Sequence, residues 1–119
     1  MFERHSESGY HLALMGIEQK TLVYGEKTLM TEFLLRKGSN LPRHTHPHEQ
    51  TGYLVRGQIR LSIGAEEFEA KPGDSWCIPG GVEHGAEVIL MLQPQIIICI
   101  LKCLLELIED LFGLMAQQL

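Results

Sequence analysis

The chain has 119 residues, room for one domain of ordinary size, and 45% of them are hydrophobic, enough to fill a single core. Ten Lys and Arg against fifteen Asp and Glu leave a net charge of -5, which repels nucleic-acid phosphates and anionic lipid head groups alike. Neither a nucleic-acid partner nor a membrane-surface role is expected.

The N-terminus, MFERHSESGYHLAL, mixes both charge signs and has neither the apolar stretch nor the small-residue cleavage site of a secretory leader, so a cytoplasmic location is expected. From about residue 10 to residue 90 the chain runs in short period-two segments separated by Gly, Pro and Asn, the rhythm of an all-β sandwich or barrel. Strands are expected at 11–15, 21–24, 29–35, 52–55, 58–63, 66–70, 75–78 and 82–88, with turns at Gly25, 38–40, 56–57, Gly64, 71–74 and 79–81. No repeat or low-complexity linker divides this stretch, so one closed unit accounts for it.

A last strand is expected at 95–101, after which the sequence changes character. The segment KCLLELIEDLFGLMAQQL continues a stripe begun at Leu101 with Leu104, Leu105, Ile108, Leu111, Phe112, Met115 and Leu119, and sets Glu106, Glu109, Asp110 and Gln117 opposite. That division predicts an amphipathic helix over 102–119, outside a barrel domain over 1–101. Its apolar stripe is expected to be covered, by the barrel itself or by a second subunit in a homodimer. The longest apolar run, 88–101, is interrupted by Gln93, Pro94 and Gln95 and falls short of the roughly 20 residues that span a bilayer. Cys77, Cys99 and Cys103 form no CxxC pair, so buried free thiols are expected.

The stretch His44-Thr-His46-Pro-His48-Glu49-Gln50 gathers three histidines, one glutamate and one glutamine in seven residues. In extended chain, residues two apart project from one face, roughly 6.6 to 7 Å apart at Cα, so the His44 and His46 imidazoles can converge on one ion at a Zn–N distance of about 2.0 to 2.1 Å. A second stretch, Gly73 through the Pro79-Gly80-Gly81 turn to His84, aims one more histidine. An HxH pair or a lone histidine is a weak signal, and the two stretches together are a strong one. Read from the residues alone, either Glu49 or Gln50 completes the set, because Pro47 interrupts the alternation after His46. Trp76 and Ile78 share the strand face opposite Cys77 and are candidates for an apolar pocket wall. Arg43, beside the first histidine, is a candidate to meet an acidic substrate, and Tyr53 is a candidate pocket acid or subunit contact.

The spacings G-x5-H-x-H-x3-E-x6-G, matched by Gly38, His44, His46 and Gly57, and G-x5-P-x-G-x2-H-x3-N, matched by Gly73, Pro79, Gly81 and His84, resemble the two motifs of the cupins. This resemblance covers residues 38 to 88 and implies a jelly-roll barrel, a double-stranded β-helix, around one divalent metal ion: Zn, Ni, Mn, Fe or Cu. Gln50 stands in the glutamate slot and Val88 in the final asparagine slot. The phrase HxHPHEQ resembles that of small cupins in which glutamine is the fourth protein ligand, which implies His44, His46, Gln50 and His84 as the metal set.

Within the family, HTHPHEQ followed by GDSWCIPGGVEHGAE is similar to small single-domain members that linearise 4,5-unsaturated uronates from pectin and alginate, which implies a small anionic sugar or keto acid as ligand. Those relatives close the barrel with a strand bearing Asp, Phe and a Ser-Pro-x-Arg-like run, whereas residues 89–99 here contain neither Asp nor Arg. Two rival functions follow. One is a non-catalytic cupin that captures a small ligand; the other is a metal-dependent dioxygenase, against which the absent carboxylate ligand counts.

Overall fold

The computed structural model describes residues 1–36 and 38–89 with their side chains and residues 95–102 by their backbone. Among the described residues the chain forms β1 (His11–Leu14), β2 (Ile17–Tyr24), β3 (Thr28–Leu35), β4 (Asn40–His44), β5 (Gln50–Arg56), β6 (Ile59–Ile63), β7 (Glu66–Ala70), β8 (Ser75–Ile78), β9 (His84–Val88) and β10 (Gln95–Lys102). All pairings are antiparallel, in a six-stranded sheet ordered β1-β2-β3-β10-β5-β8 and a four-stranded sheet ordered β4-β9-β6-β7. This is the expected all-β jelly roll.

Alternation decides which way each strand faces. On β5, Gly52 and Leu54 are buried while Thr51, Tyr53 and Val55 are exposed, so Gln50, two residues before Gly52, lies on the interior face. Leu54 and Ile59 have no exposed surface, and Ile17 and Leu35 of one sheet meet Leu61, Ala86 and Val88 of the other in a single apolar core. The β6–β7 hairpin turns on Gly64-Ala65, with Gly64 at φ 59°, a conformation that favours glycine at the first position of a two-residue loop.

Four sequence expectations change. Strand β4 was not among the expected strands, because its sequence NLPRH carries Pro42 and buries none of its residues, leaving no alternation to read. It is tolerated because β4 is an edge strand, where a missing N–H breaks no interior ladder. Strand β2 starts at Ile17 rather than residue 21, and β9 starts at His84 rather than residue 82, because Val82 is held in the preceding turn by its N–H to the Pro79 carbonyl at 3.3 Å. Cys77 is an exposed free thiol, not a buried one, since it sits on the outward face of β8. Of the helix expected over 102–119 only Lys102 is described, as the last residue of β10; residues 103–119, Cys103 among them, lie outside the described residues. Among the described residues, no helix is long and apolar enough to cross a membrane.

Gly52 and Trp76 are cross-strand partners on β5 and β8, and a Cβ added at Gly52 would stand 2.3 Å from the indole Cε2 and Nε1. The bare glycine is what lets the ring pack against the strand. Gly52→Ala is therefore expected to destabilise the protein by about 1 to 3 kcal/mol through overpacking. Urea denaturation followed by the fluorescence of Trp76, the only tryptophan, reads both the loss and the ring's displacement. An unchanged midpoint with an unchanged emission maximum would contradict the contact.

Candidate metal centre

Three residues of the candidate set stand at the ends of strands and the fourth stands in a loop. His44 closes β4, Gln50 opens β5 and His84 opens β9, while His46 lies in the loop just past β4. The extended-chain reading of the HxH pair therefore holds only as far as His44. His46 is placed instead by the second motif: the Gly81 N–H donates to the His46 carbonyl at 2.8 Å, tying the Pro79-Gly80-Gly81 turn to the loop. His44 and His84 are register partners across β4 and β9. That pairing requires the close approach of β4 at Gly85, where a Cβ would meet the Leu41 carbonyl oxygen at 2.9 Å. Sequence reading did not single out Gly85; a glycine inside a strand is the signal that marks such an approach.

The three histidines bring one ligand nitrogen each to within 4.8 Å of one another. Their ring centroids are 4.2 Å apart for His44 and His84, 4.8 Å for His46 and His84, and 5.8 Å for His44 and His46. His46 and His84 are buried. Each ring also has its Nδ1 2.9 Å from a backbone carbonyl two residues away: His44 to Pro42, His46 to His48 and His84 to Val82. A carbonyl only accepts, so each Nδ1 carries the proton and each neutral ring keeps its lone pair on Nε2.

That tautomer sets acceptors close together. The His84 Nε2 is buried with no partner, a deficit worth roughly 1 to 3 kcal/mol. The His46 Nε2 faces the Gln50 Oε1 at 3.0 Å, acceptor against acceptor. Turning the amide to present its NH2 would satisfy His46 but would leave His84 bare. A cation among these atoms satisfies all of them, so the residues present fit a divalent metal ion, and the carbonyl contacts are the outer-shell bonds that fix ring orientation in metal sites. Burial holds the His84 imidazole down to about pKa 4, with neighbouring His44, His46 and Arg43 adding to the depression against the opposing Val82 carbonyl. Burial lowers His44 as well. The His44 and His84 rings thus prefer the neutral form that a metal requires.

The other candidates divide by face. Ile78 is buried and registered opposite Gln50, and Trp76 lies over Gly52, so both belong to the interior next to the set. Tyr53 is half-exposed on the opposite face of β5 from Gln50, with its hydroxyl by Gly73. Arg43 is also turned away: its Nε donates to Glu83 at 3.0 Å and its guanidinium to the Gly64 carbonyl at 2.6 Å. Neither Arg43 nor Tyr53 joins the pocket wall, because each alternates to the outside of its strand. Glu49 is exposed and contributes no atom to the histidine group. The His48 ring stacks on His46 at 6.1 Å and 25°.

The model of one family, described as a cupin domain, matches residues 31–89. Among solved structures, an RmlC-like cupin from Shewanella frigidimarina superposes with a TM-score of 0.77 at 22% identity, covering 85% of this chain and 88% of that one. KdgF from Halomonas sp. gives 0.74 at 23% identity over 86% and 93%. The polyketide cyclase RemF from Streptomyces resistomycificus gives 0.73 at 21% over 87% and 80%. At these identities the likeness is one of fold. No curated protein matches the sequence.

The depressed histidines predict an acid-sensitive fold. A group whose folded pKa lies below its unfolded value contributes its full stability above the unfolded pKa, here about 6.5, and loses it as pH falls through the folded one, about 4 for His84. The metal-free protein should lose stability between pH 6.5 and 4, and His84→Leu should flatten that slope. Urea midpoints across this range check it; identical slopes for the two proteins would contradict the assignment.

Proposed function

The chain belongs to the cupins, and we propose that it holds one divalent ion through His44, His46, Gln50 and His84 and acts without redox change on a small anionic sugar or keto acid. The reaction proposed is ring opening of 4,5-unsaturated uronates. The observation that carries the proposal is the charge of the ligand set, in which three imidazoles and one amide oxygen surround the position and, among the described residues, no carboxylate joins them. A divalent ion held there keeps both positive charges. One unit of charge at 4 Å is worth on the order of 4 kcal/mol at an effective dielectric constant of 20, so the missing carboxylate weighs heavily in favour of an anionic ligand.

Uronate ring opening is an isomerisation that needs no external oxidant. The bond from the anomeric carbon to the ring oxygen breaks, the anomeric hydroxyl gives up a proton, and C4 gains one as the enol at C5 becomes a ketone. A bound metal would supply Lewis acidity toward the sugar oxygens. The chain's own part is to hold the His44, His46 and His84 rings in one tautomer and to exclude water at the Trp76–Ile78 wall. An Fe(II) dioxygenase is disfavoured by the same ligand set, since such sites use a carboxylate.

A second reading, capture of the anion without turnover, is favoured by β10. This strand lies between β3 and β5 and reads QIIICILK, with neither the Asp nor the Arg that the resembling uronate enzymes carry in their closing strand. With Tyr53 and Arg43 on outer faces, a proton-transfer group is harder to supply.

Incubating the metal-loaded protein with unsaturated galacturonate separates these readings. Bleaching of the double-bond absorbance, absent after treatment with a chelator, is the result expected for ring opening. Calorimetric binding without bleaching supports capture, and oxygen uptake would overturn both.

A further inference from the structure

The turn between β8 and β9 contains a residue that the metal-binding motif leaves unspecified. In the spacing P-x-G-x2-H, Pro79, Gly81 and His84 are the fixed positions and Gly80 is the free one. Gly80 nonetheless sits in a tighter backbone contact than Gly38, Gly73 or Gly81 of the two motifs. A Cβ built on it would stand 2.3 Å from the Pro47 carbonyl oxygen, 3.1 Å from the Pro47 carbonyl carbon and 3.8 Å from that of His48. All three atoms are backbone, so the conflict has no side chain to relieve it. Gly80 is not at positive φ, so its own conformation would accept alanine and the constraint is one of space.

What it presses against is the link between two candidate ligands. Pro47 and His48 join His46 to the Glu49-Gln50 corner, and the His48 carbonyl accepts the Nδ1 proton that fixes the His46 ring. One residue further on, the Gly81 N–H holds the His46 carbonyl. The turn therefore touches the ligand loop twice, once by a hydrogen bond and once by a surface that only a hydrogen atom leaves free. Moving the Pro47–His48 peptides by the ångström or so that a methyl demands would shift the acceptor that aims His46 and the start of β5 that carries Gln50.

We propose that Gly80 is a positioning residue of the metal centre, acting through the seat it provides for the Pro47–His48 peptides and without touching the ion. This rests on the metal-binding reading above and adds that ligand geometry is set from outside the ligand set. Outer-shell changes of this kind typically cost 10- to 100-fold in metal affinity.

The test compares zinc affinity, measured by chelator competition at a temperature where the metal-free proteins are folded, in the wild type, Gly80→Ala and Gly25→Ala. Gly25 is the control because a Cβ there meets nothing within 4 Å and its N–H is bonded within its own turn, to the Thr28 carbonyl. Gly80→Ala should bind zinc at least about tenfold more weakly and alter the visible spectrum of the cobalt-loaded form, with Gly25→Ala within about twofold of wild type. A purely structural role would lower the melting temperature of metal-free Gly80→Ala and leave both readouts unmoved; that result overturns the proposal. Should Gly80→Ala not fold, amide exchange in the wild type decides instead. Zinc should slow exchange at the Gly81 N–H about tenfold or more while leaving the Gly25 N–H, bonded to the Thr28 carbonyl, unchanged. Equal exchange at Gly81 with and without zinc overturns it. A wild type that takes up no zinc overturns the metal centre itself, which distinguishes that failure from this one.

Discussion

Three backbone carbonyls, those of Pro42, His48 and Val82, set the character of this protein's interior. By accepting the Nδ1 protons of His44, His46 and His84 they fix one tautomer at all three rings and leave the Nε2 atoms free to serve as ligands. Each such bond is worth only about 0.5 to 1.5 kcal/mol to folding. Their larger effect is to make the site pay a desolvation cost that only a cation relieves. In each case the donor and acceptor are two residues apart, so the orientation is local, and the fold has only to bring three such units together.

The fold does so by placing them where strands begin and end. The β4–β9 pairing sets His44 against His84, and the β8–β9 turn reaches across to hold His46. A loop-borne ligand is thereby made nearly as fixed as a strand-borne one. Glycine is the enabling residue in each approach: Gly85 admits β4, Gly52 admits the Trp76 ring, and Gly80 admits the ligand loop. Small residues matter here because backbone or a ring must come close, and a methyl at any of these points would separate elements that the site needs together.

Much of this was legible in the sequence. The alternation of strands such as β3, β6 and β7, the final strand and the all-β class follow from period-two patterning, and the two histidine stretches point to one centre before any coordinates are seen. Strand β4 was not legible, since an edge strand with a proline and no buried residue has no pattern to betray it. Arg43 and Tyr53 were drawn into the pocket by proximity in sequence, yet in a strand the neighbour of an inward residue faces outward, which is where both are found. The exposure of Cys77 follows from the same rule. Contacts made by backbone, such as Gly81 with His46, cannot be read from side-chain identities at all.

Among the described residues, no carboxylate joins the histidine group, and this shapes the functional reading more than the fold does, because the same jelly roll serves many chemistries. The central claim is that the four side chains hold one ion. Elemental analysis of protein purified without an affinity tag, set beside the His44→Ala and His46→Ala double variant, tests it most directly. The account predicts one divalent ion per chain in the first and none in the second. A double variant that retains stoichiometric metal would contradict it.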